Sequence, residues 1–122
     1  MNQFEKAKNN LVVKKKKIRA GEFWSINDIN TRGHKSLITG RTKSGKVEHL
    51  PITHSPTTRN QRNIKLNENP QKSDKRNSYI LPKVQTSNPK YLGKKQEDMQ
   101  IKNSADKSTV RHIKKQHKRK GK

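Results

Sequence analysis

KVEHLPITHS, residues 46–55, is the stretch that decides the fold. Its apolar and polar residues alternate without interruption, with Leu50 and Ile52 on one side and His49, Pro51 and Thr53 on the other. A Ser44-Gly45 turn precedes it and Ser55-Pro56 ends it. The pattern predicts a strand with one buried face and one face offering His and Thr to a ligand. Working outward, residues 35–41 with Leu37 and Ile38 predict a second strand, joined to the first through a hairpin turn at residues 42–45.

Upstream, RAGEFWSIND at residues 19–28 reads as the first strand. Phe23 faces one side; Trp24 and Ile26 face the other. Downstream, residues 55–62 read as a polar basic loop, residues 62–67 as a short strand and residues 68–77 as another loop. Residues 78–86, SYILPKVQT, predict a strand kept at an edge by Pro82. Tyr91-Leu92 is expected to dock on the sheet. Residues 104–116 predict a helix, with Ser104 or Asp106 near its start and Val110 and Ile113 three apart. The fold class expected is mainly β: a small β-barrel at residues 19–103, a basic N-terminal arm at 1–18 and a basic helix and tail at 104–122. Both tails are expected to be flexible, although a short helix fits the first dozen residues.

Composition bounds the core. Leu, Ile, Val and Phe make up 22 of 122 residues, and the formal net charge is +22. Such a composition on its own belongs with disordered chains. The apolar residues nevertheless cluster at 23–29, 37–38, 47–52, 64–66 and 79–84. Those clusters can close a unit of roughly 60–70 residues, near the lower limit for a self-sufficient core. There is no cysteine to staple it, which fits a reducing compartment. The charge is spread, with +6 on residues 1–20, +7 on 21–89 and +9 on 90–122. Self-repulsion of this size opposes folding, and a polyanion relieves it. Nucleic acid is the leading partner, ahead of an anionic membrane surface. No stretch is apolar enough to insert in a membrane, and the order of apolar and basic residues near the N-terminus reverses that of a secretory signal. The expected location is cytoplasmic.

Two motifs invite rejection. GRTKSGK at residues 40–46 approaches a phosphate-binding loop, but Val47 stands where a metal-holding hydroxyl is needed and a strand follows where a helix is needed. His34, His49, His54, His112 and His117 lack cysteine partners and metal-ligand spacing, so no metal or other cofactor is expected. Sparse carboxylates argue against a two-metal nuclease. A metal-free route exists for RNA: its 2′-hydroxyl attacks the adjacent phosphate while the protein supplies a base, an acid and cations. Lys35, His49, Thr53, His54, Arg59, Lys83 and Gln85 are suitable parts.

The order of these parts resembles the PemK/MazF family of toxins. Gly21-Glu22-Phe23-Trp24-Ser25-Ile26 is similar to that family's first strand. Gly33-His34-Lys35-Ser36-Leu37-Ile38 and Pro51-Ile52-Thr53-His54-Ser55 stand where its second and third strands do. Residues 84–93 answer its late strand and the segment after it. Lys35 and Ser36 replace the family's Arg-Pro pair, and Asn88 replaces an acidic residue. The resemblance, spanning roughly residues 19–116, implies an SH3-like barrel, single-stranded RNA as substrate, cleavage without metal, an acidic antitoxin partner and a homodimer. It implies catalytic roles for Lys35, Thr53, Gln85 and His49. RNA contacts are expected from Lys35, Arg41, Lys43, Lys46, Arg59, Arg62, Lys83, Lys114, Lys115, Lys118 and Arg119. Two other readings stay open: a non-catalytic basic protein binding RNA or DNA on the same barrel, and a largely disordered nucleic-acid chaperone.

Overall fold

The computed structural model describes residues 17–29, 31 and 33–120. The expected N-terminal arm and its short helix lie almost wholly outside the described residues. The chain is mainly β, with nine strands and one long helix among the described residues: β1 (Phe23–Ile26), β2 (Lys35–Arg41), β3 (Val47–Thr53), β4 (Thr57–Thr58), β5 (Gln61–Arg62), β6 (Ile64–Lys65), β7 (Tyr79–Ile80), β8 (Gln85–Ser87), β9 (Leu92–Lys95) and α1 (Ser104–Lys120). Seven strands form one antiparallel sheet in the order β6-β7-β3-β2-β1-β9, with β8 pairing the first half of β3. β4 and β5 form a separate hairpin.

β3 is the centre, and β2 pairs along most of it, from Ser36 opposite Pro51 to Arg41 opposite Val47. On its other edge, β8 pairs with Val47, Glu48 and His49, and β7 pairs with Ile52 and Thr53. The single strand expected at residues 78–86 is therefore two strands with a bend at Pro82-Lys83. Pro51 explains why the break is tolerated. Its carbonyl accepts from Leu81 N on that edge, so its nitrogen, which has no hydrogen to give, faces the same edge. The strand expected at residues 62–67 is likewise broken, at Asn63. Asn63 turns its amide to Ser55 O and Thr58 Oγ1, which the β4–β5 hairpin brings within reach. The expected loop at 55–62 contains that hairpin.

The alternation sorts the core as the sequence implies. Phe23, Leu37, Leu50 and Ile52 pack with Leu66, Ile80, Val84, Met99 and the helix residue Ile113. Trp24, Ile26, Ile38, Val47 and Leu92 form a second cluster, with Ile18 against it. Of the pair expected to dock, Leu92 is buried and Tyr91 is exposed; Leu92 opens β9, a strand that LGKK gave little reason to expect. Lys95 ties β9 to Glu22 at 2.9 Å.

The helix begins at Ser104, with the Asn103 side chain accepting from Asp106 N as its cap. It continues to Lys120, beyond the expected end at residue 116, so residues 117–120 are helix rather than frayed tail. Asp106, 1% exposed, accepts from Asn67 N, Asn67 Nδ2 and Glu68 N. His117 reaches Glu48 of β3 at 2.8 Å. Between these two ties, Val110 and Ile113 cover the Phe23–Leu50 cluster. Like charges at helical spacing, such as Lys107 and Arg111 or Lys114 and Lys118, each cost about 0.2–0.5 kcal/mol. The tertiary ties hold the helix against that repulsion. Asp106→Ala removes the buried acceptor of three hydrogen bonds and should lower unfolding free energy by about 1–3 kcal/mol in urea titration, whereas Asp106→Asn, which keeps one oxygen, should cost about half that.

Candidate nucleic-acid interface

His49 sits at the centre of β3 but is 0% exposed. Its ring lies between Ser36 of β2 (Nδ1 to Oγ, 3.0 Å) and Ser87 of β8 (Nε2 to Oγ, 2.8 Å). Ser87 Oγ in turn donates to Asp28. A hydroxyl that donates to a carboxylate is left to accept, so His49 is protonated on Nε2 and takes the Ser36 proton at Nδ1. The expectation that His49 is offered to a ligand is therefore corrected. The side expected to be open is closed at this position by Ser36 and Ser87, and His49 has no exposed surface. It is a positioning residue that joins β2, β3, β8 and the loop after β1.

Asp28 extends this chain into that loop. Its Oδ1 accepts from Thr31 N at 2.8 Å and from Thr31 Oγ1 at 2.6 Å, while Gly33 N donates to Ile26 O at 2.7 Å. Gly33 has φ +82°, and a Cβ there would stand 2.9 Å from Asn27 Oδ1, so glycine is required just before His34. The loop thereby fixes His34 at the mouth of the sheet.

Two clefts meet at this place. The first, about 410 Å³, is lined by Thr31, His34, Thr53, Arg59, Lys83 and Gln85, together with Pro51, Ile52, Thr58, Gln61 and Leu81. The second, about 250 Å³, shares His34, Ile52 and Thr53 and adds Lys35, His54, Asp74, Arg76 and Ser78 among others. The structure thus gathers Thr53, Arg59, Lys83 and Gln85 around one cleft and places Lys35 beside it. Lys35 Nζ donates to Gln71 Oε1 at 3.2 Å, and Gln85 Nε2 donates to Lys83 O at 3.2 Å. His34, given no catalytic or RNA-binding role in the sequence reading, belongs to both clefts. The signal that could have found it is its place directly before Lys35, on the same hairpin end as Thr53.

Arg59 has an unusual support. It and Asn60 are the central residues of the β4–β5 turn, with φ of 49° and 66°. Two positive φ values define the turn that matches a hairpin's twist. Asn adopts this conformation readily; Arg does so at a cost of about 1 kcal/mol. Arg62 lies exposed on β5. The turn thus holds Arg59 at the rim of the first cleft.

The second cleft keeps its own pairings. Arg76 forks onto Asp74 and holds its carboxyl well below the usual carboxylate range. His54 Nε2 stands 3.5 Å from the same carboxylate. Ser78 Oγ is buried and has no partner among the described residues. Among the described residues no three His, Asp or Glu side chains are placed to hold a metal ion.

The remaining expected contacts lie elsewhere. Arg41, Lys43 and Lys46 cluster around the β2–β3 turn, about 20 Å along the hairpin from Lys35. Lys114, Lys115, Lys118 and Arg119 lie on α1. Asn88 accepts from Lys90 N and caps a short 3-10 turn at Pro89–Tyr91. No helix among the described residues is long and apolar enough to cross a membrane. Comparison of the chain with protein-family models, with curated proteins and with solved structures finds no match.

The buried histidine has a measurable consequence. Burial pushes His49 down to about 4, outweighing the attraction of the nearby Asp28 charge. In the unfolded chain it titrates near 6.5. Between those values the unfolded state binds the extra proton, so stability is complete above pH 6.5 and falls as pH drops toward 4. The loss between pH 7 and pH 5 should be about 2 kcal/mol. Urea titrations across that range should show it, and His49→Gln should flatten the dependence while lowering stability at pH 7.

Proposed function

We propose that this chain is a PemK/MazF-like RNA-binding protein. In this reading the first cleft holds single-stranded RNA and cuts it through the RNA's own 2′-hydroxyl. One observation supports it above the rest: the cleft is lined by Arg59, Lys83, His34 and three threonines, with no carboxylate among its lining residues. A site of that chemistry attracts a phosphodiester and repels no part of it. Thr53, from the segment that resembles the family's third strand, lies where the two clefts meet.

The chemistry follows from the groups present. His34 takes the 2′-hydroxyl proton as O2′ attacks the neighbouring phosphorus. The bond to the 5′-oxygen breaks, and that oxygen takes a proton from solvent water as it leaves. The products are a 2′,3′-cyclic phosphate and a 5′-hydroxyl. Lys35 and Arg59 hold the negative phosphoryl oxygens, and Thr53 Oγ1 and the Gln85 amide donate to them. DNA, lacking the 2′-hydroxyl, would be bound and left whole. Lys35 brings a point charge in place of a guanidinium fork, so Arg59 supplies the forked contact in this arrangement. An acidic antitoxin would compete for the same cations.

The test is cleavage of a long single-stranded RNA in excess EDTA. Wild type should give discrete cuts with cyclic phosphate ends. His34→Gln should lower the rate about 10²–10⁴-fold, and Thr53→Val and Lys35→Ala should also slow it, with binding retained. Binding by wild type without cleavage would leave the non-catalytic reading. A separate expectation concerns the turn: Arg59→Gly should raise thermal stability slightly, by relieving the positive φ, while weakening RNA binding in filter or anisotropy titrations.

A further inference from the structure

The helix carries a second cationic surface. Lys107, Arg111, Lys115, Lys118 and Arg119 are exposed and Lys114 is half-buried. At 100° per residue these six occupy one arc of about 140° over about 18 Å of helix. The only carboxylate on α1 is Asp106, which is buried and turned to the 67–68 backbone. None of the six makes an ion pair among the described residues.

This surface lies across the sheet from the first cleft. α1 packs through Val110 and Ile113 on the face that carries Leu37, Leu50 and Ile52, and its His117 meets Glu48 on the same face. Ser36, His49 and Pro51 belong to the other face, and strand alternation continues that face to His34 and Thr53 at the cleft. The apolar stripe of α1 is occupied by the core, so the helix has no greasy face to give to lipid. What it offers is charge at close spacing, with unrelieved like-charge neighbours, and a nucleic-acid backbone answers that directly.

We infer that the protein bridges two RNA segments, one held in the cleft and the other along the outer face of α1. The inference rests on RNA being the polyanion, as proposed above. The helix contact is to phosphates, so it is independent of base sequence and steeply dependent on salt. Bringing two segments together is an activity separate from cutting either one.

The experiment uses two non-complementary 2′-O-methyl oligoribonucleotides, which lack the attacking hydroxyl. One is immobilised and the other carries a fluorophore. The full-length wild type should co-capture the second strand. The triple variant Arg111→Gln, Lys115→Gln, Lys118→Gln should still bind one strand in solution but lose at least ten-fold in co-capture. Its log-log salt dependence should be shallower by about 2. Its thermal midpoint should rise, because like-charge neighbours are removed; this also reports that it folds. Wild type that binds one RNA but never co-captures overturns the inference and leaves the proposed function standing. Equal co-capture by wild type and variant also overturns it. Unchanged RNA co-capture with lost binding to phosphatidylserine vesicles would reassign the surface to a membrane and overturn it as well. Absence of any RNA binding would overturn the proposed function itself.

Discussion

Four side chains in hydrogen-bonded series, Ser36, His49, Ser87 and Asp28, hold together parts of the chain that the hydrophobic core alone would not align. Each donor in the series has an acceptor, and the last acceptor is a carboxylate that also closes the loop around Thr31. A half-satisfied network would be worse than an apolar one, because an unpaired buried group keeps its full desolvation cost. Completed, it fixes the separation of β2, β3 and β8 at one level of the sheet. The cleft is built on its rim. His34 follows the loop that Asp28 organises, and Gln85 lies two residues before Ser87. A histidine closed off from solvent thus sets where the cleft-lining groups stand.

Much of the fold was legible because β3 and β2 obey strict alternation. Their bounds, their hairpin and the split of Phe23 from Trp24 across two clusters follow from period-two patterning. The same period misled at His49. Alternation tells which residues share a side, not which side stays open, and here both sides of β3 are covered. The remaining misreadings have local causes. Pro82 and Asn63 break strands whose side-chain pattern reads as continuous, because pattern records faces and not backbone donors. β9 escaped because LGKK has a single apolar residue and earns its place by backbone pairing with Trp24 and Ile26. Thr53, Arg59, Lys83 and Gln85 line one cleft, while His34 was passed over because an isolated histidine next to a glycine has no periodic signature.

The charge distribution follows from a core of limited size. Few apolar residues are available, so the helix is held partly by buried polar ties, Asp106 to the 67–68 backbone and His117 to Glu48. With nine carboxylates in the whole sequence, using several of them as internal fasteners leaves few to offset the surface cations. The positive field is thus tied to the way the fold is fastened. Removing these carboxylates would raise the field and loosen the structure together.

The bend at Pro82 also bears on mechanics. The partners of β3 jump from Ile80 to Gln85, so one rigid strand is the rail for two short ladders. Leu81 and Lys83, in the bend, are part of the cleft wall. The wall therefore turns where two short ladders meet, and Leu81 N, bonded to Pro51 O, pins that turn to β3. The shape of the groove at this point is set by a bend in the chain and not by a strand edge.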